Sequence, residues 1–117
     1  MTGNDIYRRV LGILGYLNTN IINANEDNLL KRAPDIINQI CMDLKIPQIE
    51  RLSDEIKATG ASIDALCYGT AMLMALVEGD GAKNQVFTQI YNSKRAAALS
   101  QIQKIEDKLP FVSYGVD

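Results

Sequence analysis

Thirteen consecutive residues, Ala65 to Val77, carry no charge, and Glu78-Gly79-Asp80-Gly81 closes the run. That run and its corner constrain the fold more than any other feature. The run is too short to span a bilayer, which needs about twenty apolar residues. A helix that is apolar all the way round is instead the central, buried member of a bundle. Leu66, Thr70, Leu73, Met74 and Val77 are therefore expected to be almost fully buried. Ser62 can cap this helix, with Asp64 in its first turn. At the far end Gly79 fits the left-handed position that terminates a helix, and Asp80 can cap the next one at once.

The rest of the chain supplies the partners of that helix. Ile6, Val10, Ile13, Leu14 and Leu17 fall at the spacing of one helix face, so a first helix is expected from a cap at Thr2 or Asn4 to about Tyr16. Gly12 and Gly15 each weaken it by about 1 kcal/mol relative to Ala, which fits close approach by a neighbour. Arg8-Arg9 ahead of the apolar run imitates a signal peptide. Asp5 in the charged region and the poor cleavage site Ile22-Asn23-Ala24 argue instead for a structural helix of an intracellular protein. Residues Asn18 to Asn28 read as an Asn-rich connection.

A second helical segment is expected from near Glu26, interrupted at Ala33-Pro34 because the residue before proline avoids the helical region. Pro34 then opens a fresh helix with Asp35 at its positive end. Ile37, Ile40, Cys41 and Leu44 form its buried stripe, Lys45 sits at its end, and Pro47 stops it. Pro47 to Gly60 reads as an extended loop held by Ile49, Leu52 and Ile56, with a turn of helix at Ser53 to Ile56. The last helix is expected from Gly81 to about Lys108, with Val86, Phe87, Ile90, Tyr91, Ala98, Ile102 and Ile105 inward, and Pro110 ends it. Phe111, Val112, Tyr114 and Val116 alternate beyond it, a pattern suited to an extended segment that lies in a groove of a partner. With 47% hydrophobic and 22% charged residues, the chain reads as one globular domain over 1–117. The expected class is all-α: a small bundle of about four helices with a buried central helix and an extended C-terminal tail at 110–117.

The chemistry on offer is narrow. Twelve Lys plus Arg face fourteen Asp plus Glu, a net charge of −2, which offers no general attraction to a phosphate backbone. There is no His, so the commonest general base and metal ligand are both missing. Cys41 and Cys67 read as reduced, buried cysteines, too few for a disulfide scaffold or a zinc site. Asn23-x-Asn25-x-Asp27 matches the opening of a calcium loop, but Asn28 stands where Gly is needed and Pro34 where Glu is needed. Glu78 and Asp80 are better explained by capping than as an acid–base pair. Gly79-Asp80-Gly81 lacks the lysine of a phosphate-binding loop. The basic pairs Arg8-Arg9, Lys31-Arg32 and Lys94-Arg95 read as solvated helix faces. No catalytic residue, cofactor or metal is expected, and protein binding is the remaining task.

Three stretches carry a resemblance. Pro34-Asp35-Ile36-Ile37-Asn38-Gln39-Ile40, Leu52-Ser53-Asp54-Glu55-Ile56, and Ala65 through Tyr68-Gly69 to Glu78-Gly79-Asp80 resemble the head–tail connector (adaptor) proteins of tailed bacteriophages and prophages. Tyr91-Asn92-Ser93-Lys94-Arg95 matches the aromatic and basic stretch of the long helix that follows. The likeness covers roughly Ala33 to Ala98. It implies a virion structural protein, assembled in the bacterial host cytoplasm, that forms a homo-oligomeric ring beneath the portal and extends the DNA channel. Its implied partners are the portal protein and the next tail-completion protein. DNA would pass through without sequence-specific binding, and no membrane is involved. The mildly acidic pI of about 5.1 suits that passage. The corner Gly79-Asp80 would be structural, and Phe111, Val112, Tyr114 and Val116 would make partner contacts. Two rivals stand beside this reading: a small cytosolic adaptor that binds a partner through a helical groove, and a transcriptional regulator of the helix-turn-helix type.

Overall fold

A computed structural model describes the backbone of residues 1–16 and 24–107 and the side chains of 1–16 and 29–101. Thr2 starts the first helix, α1 (Gly3–Leu14), through a reciprocal box. Its hydroxyl accepts the Asp5 N–H at 3.2 Å, and the Asp5 carboxylate accepts the Thr2 N–H at 2.9 Å. Two more of the donors that a helix start leaves orphaned are taken from outside the helix. Gly3 N–H donates to the Asp54 carbonyl at 3.0 Å and Asn4 N–H to the Leu52 carbonyl at 2.8 Å. The backbones approach so closely that a Cβ on Gly3 would meet the Leu52 carbonyl oxygen at 2.9 Å. α1 is thus docked end-on into residues 44–59, with Ile6, Val10, Leu11 and Leu14 buried along its side.

α2 (Ala24–Asp43) runs as one helix through Pro34 rather than as two segments split at Ala33. Leu29, Ala33, Ile36, Ile37, Ile40 and Cys41 keep one buried face on both sides of the proline. Burial of that continuous face outweighs the cost of an interior proline, about 3 kcal/mol for the lost backbone hydrogen bond and the ring's clash with the preceding turn together. Because α2 begins at Ala24, Asn25 and Asp27 lie in a helix, which is no calcium loop.

Residues 44–59 contain no helix, and the expected helical turn at Ser53 to Ile56 is absent. The reason is side-chain competition for the backbone. The Asp54 carboxylate accepts the N–H groups of Glu50 and Arg51, each at 2.9 Å, which closes a non-helical turn. Ile49 and Ile56 are buried and Leu52 is half-buried, as anchors should be. Asn38 on α2 grips the loop through both faces of its amide, donating to the Ile49 carbonyl at 2.6 Å and accepting the Ile49 N–H at 2.8 Å. Among the described residues the only β pairing is an isolated bridge between Thr2 and Glu55.

α3 (Gly60–Val77) is capped by Thr59, whose hydroxyl accepts the Ser62 N–H at 3.3 Å. Ser62 is therefore inside the helix and buried, not the cap, because the helix starts three residues earlier than Ser62 would allow. By length and composition α3 could cross a membrane, yet half of it is buried in this fold by α1, α2 and α4. α4 (Gly81–Asp107) turns back along α3 and makes its most extensive packing. The result is an all-α bundle of four helices with α3 at its centre. Leu66, Thr70 and Met74 are fully buried, while Leu73 is half-buried and Val77 is 39% exposed. Those two were expected inside. Three neighbouring helices cover only three arcs of a central helix, and the remaining arc stays open. Val86 on α4, also expected inward, is 55% exposed, whereas Tyr91 and Ala98 are buried. Ile102, Ile105 and the tail with Phe111, Val112, Tyr114 and Val116 lie outside the described side chains.

α1, α2 and α3 end in the same way. In each, two crossed N–H to carbonyl bonds surround a residue with positive φ. That residue is Gly15 after α1 (φ 83°), Lys45 after α2 (φ 59°) and Gly79 after α3 (φ 74°). Gly15 is thus a terminator, not the interior weak point its position implied.

Candidate interaction surface

The open arc of α3 is where the fold exposes something usable. Ile40, Met42 and Asp43 on α2, Met72 and Leu73 on α3, and Tyr91 on α4 line a cleft of about 460 Å³, with Gln39 at its edge. Met42 stands at its rim, 59% exposed. Leu76, 62% exposed, lies one helical turn beyond Met72 and Leu73 and continues the apolar strip.

The floor of the cleft is closely packed. Gly69 lets the three helices close: its Cα faces the Tyr91 ring from α4 and the Ile40 side chain from α2. The Tyr91 hydroxyl donates to Asp43 at the end of α2, and Arg95 Nε donates to the same Asp43 oxygen at 2.8 Å. Burial pushes the Tyr91 phenol well above its ordinary range, and the Asp43 carboxylate pushes it further. At Asp43 burial acts upward too, but the hydrogen bonds from Tyr91 and Arg95 and the Arg95 charge outweigh it and hold the carboxyl below its ordinary value. The cluster is therefore an anionic carboxylate, a neutral phenol and a cation, a lock between α2 and α4.

A second tie joins α4 to α3. Lys94 Nζ pairs with Asp64 at 2.5 Å and stands 5.1 Å from the Tyr68 ring centroid, a cation–π distance. Tyr68 in turn packs on Phe87 at 6.3 Å. Lys94 and Arg95 are thus both matched to carboxylates on other helices, so this basic pair is a clamp rather than an open basic face. Arg8 and Arg9 line a shallow hollow on α1 with Met1, Asp5, Gly12 and Ile13.

The corner residues singled out from sequence sit apart from the cleft. Asp80 accepts the Lys83 N–H at 3.1 Å, capping α4. Lys83 Nζ reaches across to the Leu14 carbonyl at 2.9 Å, which satisfies an orphaned group at the end of α1, and lies 5.1 Å from the Tyr16 ring centroid. The corner therefore pins α1 to α4.

Neither cysteine forms a disulfide, and both are buried. Burial pushes the Cys41 thiol up to about 11. Burial raises Cys67 as well, with Arg9 partly opposing it. Both remain protonated at neutral pH, so neither is a poised nucleophile. Among the described residues no three His, Cys, Asp or Glu side chains gather as metal ligands.

Sequence reading missed the cleft, because an all-apolar helix gives no sign of which arc its neighbours leave open. The Tyr91-x-x-x-Arg95 spacing, which puts both side chains on one helix face, was the available clue to the Asp43 lock. No protein-family model matches the chain, and no curated protein or solved structure is significantly similar to it.

Proposed function

We propose that the chain is a structural protein of phage virion assembly, a head–tail connector that forms a ring beneath the portal and extends the DNA channel. One observation supports this above the rest: the residues that carry the connector resemblance are those that set the packing of α2, α3 and α4. Tyr68-Gly69 sits where the three helices meet, Gly79-Asp80 makes the corner, and Tyr91, Lys94 and Arg95 tie α4 to its neighbours. A rigid helical body with an apolar cleft suits a ring subunit, whose partners are the portal protein and the next tail-completion protein. The mildly acidic balance lets DNA pass without adhering. The protein would reside in the virion after assembly in the host cytoplasm.

A second reading, a small cytosolic adaptor that binds a partner through a helical groove, draws on the same cleft. A transcriptional regulator is less favoured, since Lys94 and Arg95 are committed to Asp64 and Asp43. Negative-stain microscopy and native mass measurement of the purified chain, alone and with portal protein, separate the readings. Rings or portal co-purification support the connector, whereas a monomer that ignores the portal overturns it.

A further inference from the structure

We propose that the cleft between α2, α3 and α4 receives the segment around Phe111 from a second copy of this chain. This rests on the ring reading and deepens it, since it names the contact that would join one subunit to the next.

The receptor is an adaptable apolar surface. Met42, Met72 and Leu73 line the cleft together with Tyr91, and Leu76 extends the strip. Methionines fit irregular shapes and make favourable contacts with aromatic rings. An opening of about 460 Å³ falls in the range of ligand-sized clefts, enough for an aromatic side chain and its neighbours. An exposed apolar strip of this kind marks an interaction site.

The occupant follows from composition and reach. Leu109-Pro110-Phe111-Val112-Ser113-Tyr114 is apolar at four of six positions besides its proline, and Pro110 cannot donate the hydrogen bond that would continue α4. α3 and α4 run antiparallel, with Tyr91 opposite Gly69 and Lys94 opposite Asp64. Each step from Tyr91 toward Asp107 therefore leads away from the cleft. Asp107 lies sixteen residues beyond Tyr91, a helical distance of about 24 Å. Phe111 follows four residues later and reaches back at most about 14 Å even when fully extended. The Phe111 backbone therefore stops about 10 Å short of Tyr91 on its own chain, a limit that a second copy does not meet. A cleft on one copy and its occupant on another make a heterologous contact, which closes into a ring or runs on as a filament.

Sedimentation velocity tests the pairing with two variants, Met42→Asp in the cleft and Phe111→Asp in the segment. Met42 is 59% exposed, so its change spares the buried core, and circular dichroism checks that both variants fold. Should Met42→Asp fail to fold, Leu76→Asp takes its place. The unaltered chain should self-associate, and either variant alone should bind itself roughly thirtyfold more weakly, the loss typical of an interface hot spot. An equimolar mixture of the two should form heterodimers, because it restores one intact cleft facing one intact segment. Unchanged assembly of Met42→Asp overturns the pairing while leaving the ring reading in place. Heterodimers that never form rings, with or without portal protein, keep the pairing and sink the ring. A monomeric unaltered chain, or a Phe111→Asp variant that loses only portal binding, rejects the cleft as the receptor.

Discussion

A Cβ placed on Gly69 would lie 2.7 Å from Cε1 of Tyr91, closer than real Cβ contacts come, and 2.8 Å from Cγ2 of Ile40. Two effects of a Gly69→Ala substitution oppose each other. Alanine favours the helix by about 1 kcal/mol, while overpacking a core costs about 1–3 kcal/mol. The ring cannot yield easily, because its hydroxyl is fixed to Asp43. Net destabilisation is expected in denaturant unfolding. Repeating the change in a Tyr91→Leu background should shrink the loss to the part set by Ile40, and equal losses in both backgrounds would reject the steric account of Tyr91.

The lock at Asp43 gives a pH signature. Tyr91→Phe removes one donor to a carboxylate and should cost about 1–2 kcal/mol at neutral pH, discounted because Asp43 is two-fifths exposed. Asp43 is depressed in the folded state, so its contribution is present above the unfolded value near 3.9 and is lost as pH falls through the folded one. Tyr91 is raised, so its contribution is present below its unfolded value near 10 and is lost as pH climbs beyond it. The gap between the unaltered protein and Tyr91→Phe should accordingly narrow below about pH 4 and above about pH 10. A gap that stays constant from pH 3 to pH 11 would remove the lock.

The sequence carried the central helix and its corner because both are local. An uncharged run needs only its own residues to be recognised, and Gly79 sits where a terminating glycine belongs. Pro34 misled because a proline's local preference was overridden by a buried face running from Leu29 to Cys41, a tertiary effect no dipeptide reports. Thr59 was overlooked in favour of Ser62 since either residue can cap. The exposure of Val77 and Leu76, and with it the cleft, depends on where α2 ends relative to α3, which only the assembled bundle determines.

Lys45 holds φ at 59°, a left-handed conformation given to glycine at the ends of α1 and α3. A side chain there costs about 1–2 kcal/mol, partly offset by the extra freedom glycine brings to the unfolded chain. Lys45→Gly should therefore stabilise the protein by about 0.5–1 kcal/mol and raise Tm by a few degrees. The converse change, Gly79→Val, should destabilise strongly, since a β-branched residue tolerates positive φ least. A lower Tm for Lys45→Gly would show that the lysine side chain contributes more than its backbone costs.

Thr70 is fully buried in the middle of α3, and its Oγ1 has no hydrogen-bond partner among the described residues. A hydroxyl left unsatisfied in an apolar core costs about 1–3 kcal/mol, and a methyl group of nearly the same size carries no such penalty. Leu66 and Met74, one turn to either side, are fully buried too, so the site is apolar along the helix axis. Valine is slightly less favourable than alanine in a helix, but threonine shares that β-branching, so the backbone term nearly cancels. Thr70→Val should raise unfolding stability by about 1 kcal/mol without altering the helix content seen by circular dichroism. Thr70→Ala should do the opposite, because it leaves a cavity where Leu66 and Met74 cannot collapse. A loss of stability in Thr70→Val comparable to that of Thr70→Ala would mean that the hydroxyl has a partner in solution, and that α3 is less dry at its centre than its neighbours make it.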